Sequence, residues 1–154
     1  AMYKELIRRL SAGFEYVAIQ PPCPEAETAH AEAVVGYPFP AELRALLREL
    51  NGDHWCVLSA QEIVENVGRN RRYYLPFFEE DFSKEAYLDR VDRFVFFATN
   101  GCGDYYCYRA RTDDTVDDSV IYIWEHEEIG EECCWRPVAN NMAEFLTKYY
   151  QSKI

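Results

Sequence analysis

Apolar positions recur three and four residues apart in three segments of the chain, and this periodicity predicts its clearest helices. Tyr3, Leu6, Ile7 and Leu10 stand at i, i+3, i+4 and i+7 and predict a short amphipathic helix over residues 2–10. Leu43, Leu46, Leu47 and Leu50 repeat that spacing. Pro40 before them suits a first helical position, and Asn51-Gly52 after them predicts a left-handed stop. Met142, Phe145, Leu146, Tyr149 and Tyr150 form the third face, opened by a capping-box pattern of Asn141 and Glu144. Two further helices rest on end signals. Pro24 opens one that Gly36 closes, and Ser59 with Glu62 opens another through about Val67.

Between residues 90 and 125 the pattern changes to aromatic and β-branched runs. Residues 93–99 predict a buried strand, 100–103 (Asn-Gly-Cys-Gly) a turn, and 104–109 the partner strand. Residues 119–124 predict another strand, and residues 54–58 an earlier one. Residues 14–19 fit strand or extended loop. Residues 69–90 are a long connection with one helical turn expected near 83–88. Helices first, a strand meander second and a helix last predict an α+β fold with a mostly antiparallel sheet, built as one domain over residues 2–154. Ala1 ahead of Met2 reads as a residue left by tag removal.

Composition narrows the class. The 154 residues are 49% hydrophobic and 16% aromatic, too rich for a disordered chain. No unbroken apolar run exceeds the five residues of 94–98, far short of the roughly 18–20 needed to span a membrane. No basic-then-apolar leader opens the chain, so a cytoplasmic location with reduced thiols is expected for its six cysteines. Sixteen basic against 27 acidic residues give a net charge of −11, which argues against direct nucleic-acid binding.

Catalytic and cofactor chemistry finds little support. Gly101-Cys102-Gly103 lacks the third glycine and the following helix of a dinucleotide loop, so it reads as a hairpin turn. Cys102, Cys107, His126, Cys133 and Cys134 approach a zinc set. However, the second pair is adjacent in sequence, and 102 and 107 fall at different levels of a hairpin. His30, His54 and His126 have no local nucleophile partner, although His54 would share a strand face with Cys56. Asp113-Asp114 and Asp117-Asp118 lack the remaining ligands of a calcium loop and read as a solvated hairpin tip. Arg69-Asn70-Arg71-Arg72 is the one basic cluster, suited to a solvated loop or an internal ion pair. The expectation is therefore a non-enzyme with no cofactor and no metal. Charge is the stronger signal. From Asp104 to Glu132 ten acidic residues face two basic ones, so this window carries −8 of the total −11.

Four blocks, in order, resemble the SUKH superfamily, relatives of the yeast cell-wall assembly regulator. The first is Gly36-Tyr37-Pro38-Phe39-Pro40-Ala41-Glu42-Leu43, running through Leu46-Leu47 to Leu50-Asn51-Gly52. The second is Phe94-Val95-Phe96-Phe97 with Gly101, Gly103 and Asp104. The third is Val120 to Trp124 with Glu125-His126-Glu127, and the fourth Val138-Ala139 leading to Glu144-Phe145-Leu146. The length of 69–90 and the run Cys133-Cys134-Trp135 depart from the pattern.

The resemblance implies a twisted sheet of about five or six strands with helices packed on it. It also implies a protein-binding role. Bacterial members are largely regarded as immunity proteins that neutralise polymorphic toxins, often nucleases, and eukaryotic members as regulators or scaffolds. The acidic window suits the immunity reading, with a cognate toxin domain of basic surface as partner. The expected contact residues are Asp104, Glu125, Glu127, Glu128, Glu131 and Glu132. Tyr106, Tyr108 and Trp124 would serve as anchors if exposed, and as sheet core otherwise. A regulatory or scaffold domain is the alternative function.

Overall fold

The computed structural model describes residues 2–78, 90–128 and 134–154, with the side chains of Phe77, Phe78 and Glu128 left undescribed. Among the described residues five α-helices flank a four-stranded sheet. They are α1 (Met2–Leu10), α2 (Glu25–Val35), α3 (Ala41–Glu49), α4 (Ala60–Tyr74) and α5 (Met142–Tyr150). The strands β1 (Phe94–Thr99), β2 (Tyr105–Ala110), β3 (Val116–Trp124) and β4 (Trp135–Ala139) form an antiparallel meander in the order β1-β2-β3-β4. The α+β class holds, with four strands among the described residues in place of five or six. No helix of the described residues is long and apolar enough to cross a membrane.

The helix ends follow local chemistry. Glu62 N–H donates to Ser59 Oγ at 3.1 Å and Ser59 N–H to Glu62 Oε1 at 3.0 Å, completing the capping box of α4. Glu144 N–H donates to Asn141 Oδ1 at 2.8 Å and starts α5. Gly36, at φ 93°, closes α2 in the left-handed conformation and donates to Glu32 O. Pro24 and Pro40 stand one place earlier than a first helical position, at the caps of α2 and α3.

Several expectations are corrected. Helix α4 runs to Tyr74 and not to Val67, because tertiary contacts hold its polar second half. Asn66 and Asn70 are buried there, and the Arg71 guanidinium donates to the Val34 and Val35 carbonyls at the end of α2. The stop after α3 is Leu50 in an extended conformation; Gly52, at φ 86°, serves a close approach two residues later. A Cβ there would lie 2.8 Å from Ser59 N. Residues 54–58 form a turn with a single bridge, Val57 to Ala98, because His54 takes φ 60°. The expected strand 119–124 begins earlier, at Val116. Trp135–Ala139 is a strand that periodicity hides, since Pro137 interrupts its alternation. Pro137 and the Lys148 ammonium, which donates to Val138 O at 3.0 Å, leave this edge strand poorly suited to pairing with another chain. Residues 14–19 belong to no strand and form a loop. The turn expected near 83–88 lies outside the described residues.

Both sheet faces are covered. On one face Phe97 and Tyr106 pack against Phe145 of α5, with ring centroids 5.3 and 4.7 Å apart. Tyr108 donates to Glu42 of α3 on the same face. On the other face Phe96, Tyr105 and Trp124 stack together. Tyr74 of α4 lies over Trp124, and Tyr105 OH donates to Asn66. Strand alternation puts Phe97 on the face opposite Phe94 and Phe96, and the register shifts by a bulge between Phe96 and Ala98. The α5 face therefore packs on the Phe97 side of the sheet, and the Phe94/Phe96 side belongs to α4.

Candidate protein-binding site

The acidic window does not form one face. Because β2 and β3 are antiparallel, Asp113, Asp114, Asp117 and Asp118 gather at or beside their connecting turn, while Asp104 and Glu125 lie at the opposite end of the hairpin. A six-residue strand puts on the order of 20 Å between the two groups. At the turn end the charges are paired, Asp114 with the buried Arg93 at 2.6 Å and Asp117 with Arg111 at 3.3 Å.

At the other end Asp104 is a structural tie as well as a charge. Its Oδ1 accepts the backbone N–H of His126 at 3.1 Å and lies 2.7 Å from His126 Nδ1; its Oδ2 accepts Asn100 Nδ2 at 3.1 Å. Gly103, at φ 92°, makes room for this pair, since a Cβ would meet the His126 ring at 2.8 Å. Glu125 accepts from Arg136 Nε at 2.7 Å. Glu127 points outward, its side chain 84% exposed. The side chain of Glu128 and all of Glu131 and Glu132 lie outside the described residues.

Asp104 and Glu125 form one wall of a cleft of about 430 Å³. Arg136 shares that wall, Tyr106 and Ile123 of the sheet lie beneath it, and Tyr149 and Tyr150 close one side. Burial pushes the Tyr106 phenol up to about 12, with the nearby Cys56 thiol adding to it. The opposite lip carries Phe14 and Trp55, and Tyr16 stacks on Trp55 with centroids 5.9 Å apart and planes 17° apart. Tyr16 is 72% and Trp55 47% exposed, and Phe14 is also exposed. Three of the five large exposed hydrophobics among the described residues therefore meet at this mouth.

Sequence periodicity could not find this lip, because its residues share no element. The fold assembles it around Asp53, which is 0% exposed. Asp53 Oδ1 accepts the N–H groups of Trp55, Cys56 and Val57 at 3.0, 2.8 and 2.9 Å, and Oδ2 accepts the Tyr150 hydroxyl. Burial, then the charge of Asp53, holds the Tyr150 phenol well above its ordinary range. The loop bearing Phe14 and Tyr16 is stitched to the same turn by Ala18 N–H to Asp53 O at 2.8 Å and Gln20 N–H to Gly52 O at 3.0 Å. Trp55 and Tyr16 are thus presented on a backbone held by hydrogen bonds.

Tyr106, Tyr108 and Trp124 are buried, so they are sheet core and not anchors. A second cleft, of about 560 Å³, opens on the other sheet face between α4 and the β1–β2 turn. It is lined by Asn66, Arg69, Tyr73 and Tyr105, with Glu62 as the one carboxylate among the described residues there. Of the described cysteines, Cys23, Cys56, Cys107 and Cys134 are buried and Cys102 is exposed. Burial raises the thiols of Cys56 and Cys107 well above the ordinary value, which suits packing and not nucleophilic attack.

Comparison with protein families matches residues 22–148 to the SMI1 / KNR4 family (SUKH-1). Comparison with curated proteins gives no match.

Proposed function

Since the chain belongs to the SMI1 / KNR4 family (SUKH-1), we propose that it is a non-catalytic, cytoplasmic binding protein that neutralises a bacterial toxin domain. The observation that carries this reading is the acidic end of the sheet, where Asp104, Glu125 and the outward Glu127 stand beside an aromatic-lipped cleft. A toxin that handles nucleic acid must present basic surface to phosphates, and an acidic protein of net charge −11 complements it. Glu128, Glu131 and Glu132 extend the same charge along the chain. Such charge acts mainly by steering encounter, so it raises the association rate and makes that rate fall with salt.

The test is association with the toxin domain encoded beside this gene. Replacing Glu127 and Glu128 with Lys is expected to slow association several-fold at low salt and to flatten its salt dependence, with the melting temperature unchanged. Wild-type kinetics at every salt concentration would rule this end of the sheet out as the contact.

A further inference from the structure

Family membership covers residues 22–148, yet the cleft beside the acidic wall is completed by residues on either side of that span. Phe14 supplies part of the lip, and Tyr16, stacked on Trp55, extends it; Tyr149, Tyr150 and Ile154 supply the adjoining side. The shared core contributes the carboxylates and Trp55, and the flanking segments contribute much of the shape. Phe14 and Tyr150 lie against one another with centroids 6.4 Å apart, so the two flanks meet.

We infer that this cleft seats one arginine-bearing loop of a basic protein partner, and that the flanking residues select which loop it accepts. This rests on the toxin-binding reading above and adds the chemistry of the contact. An aromatic lip next to carboxylates suits a guanidinium better than an ammonium. Its plane stacks on Trp or Tyr, its fork matches a carboxylate, and it sheds water more readily. Glu125 already holds one guanidinium, that of Arg136, on this wall. Asp104 directs its oxygens at His126 and Asn100, which fixes the carboxylate in place. The exposed Tyr16–Trp55 pair has the composition and the firm backing of a binding anchor. Its loss should act on dissociation, whereas loss of the outer carboxylates should act on association.

The experiment compares the wild-type chain with Tyr16→Ala/Trp55→Ala against the toxin domain encoded beside the gene. The double variant is expected to dissociate at least fifty-fold faster, with an association rate within two-fold of wild type and an unchanged melting temperature. An unchanged dissociation rate overturns the cleft while leaving the toxin-binding reading standing. If the toxin domain does not bind the wild-type chain, that reading fails, and acetyl-arginine amide decides the cleft alone. Tens of millimolar of it should shift the Trp55 indole N–H resonance in a protein NMR spectrum, and acetyl-citrulline amide should not. No shift with arginine, or equal shifts with both, overturns the inference.

Discussion

Asp53 shows how much one residue can organise. It is fully buried, yet among the described residues nothing basic pairs with it; three backbone N–H groups and a tyrosine hydroxyl surround it instead. Backbone donors converging on one oxygen stabilise a carboxylate as a charge would. The turn carrying Trp55 depends on that oxygen, because His54 sits at φ 60° and would not hold the conformation unaided. Asp53→Ala leaves several donors without partners, each costing about 1–3 kcal/mol, so a loss of at least about 3 kcal/mol is expected in urea unfolding. A loss under about 1 kcal/mol would show that water replaces the carboxylate. No sequence pattern marks Asp53, whose partners come from the following turn and from the last turn of α5, 97 residues away.

At the scale of elements, periodicity is most informative where a helix has one apolar stripe. Helices α1, α3 and α5 bury the stripes their spacing predicts, with Ile7, Leu43, Leu46, Leu47, Phe145 and Leu146 fully inaccessible or nearly so. Leu46→Ala and Phe145→Ala should each cost about 2–5 kcal/mol through the cavity left behind. Melting shifts near zero for both would contradict this packing. The stripe does not say which sheet face receives it. The pairing of β1 in the sheet decides that, its alternation placing Phe97 on the α5 side and Phe94 and Phe96 on the α4 side. Helix α4 outruns its pattern for a related reason, since Asn66 and Arg71 make polar bonds to distant elements that a hydrophobic count cannot register.

Across the whole molecule the aromatic content becomes a pH response. Tyr106, Tyr108 and Tyr150 all have phenols held above the ordinary value of 10.0, in each case chiefly by burial. The unfolded chain loses these protons near pH 10 while the folded chain keeps them. Their contribution to stability is therefore full below pH 10 and falls as pH rises from there, through about 12 for Tyr106. Urea midpoints should begin to fall near pH 9, where the thiols of Cys56 and Cys107 ionise in the unfolded chain but not in the folded one, and fall more steeply beyond 10; Tyr106→Phe should make only the drop beyond 10 shallower. An identical slope in that variant would assign the response to other groups.

The amino-acid sequence by itself determined the α+β class, the stripes of α1, α3 and α5, the helix caps at Ser59 and Asn141, the β1–β2 hairpin and the excess of acidic charge. Each is a local matter of spacing, turn chemistry or composition within a short stretch of chain. The tertiary structure alone decided that the acidic window splits between the two ends of one hairpin, because antiparallel pairing carries neighbours in sequence to opposite poles. It also decided that Tyr106, Tyr108 and Trp124 are core while Tyr16 and Trp55 are surface. An aromatic residue has the same composition in either place, and only the packing around it settles which side of it meets water.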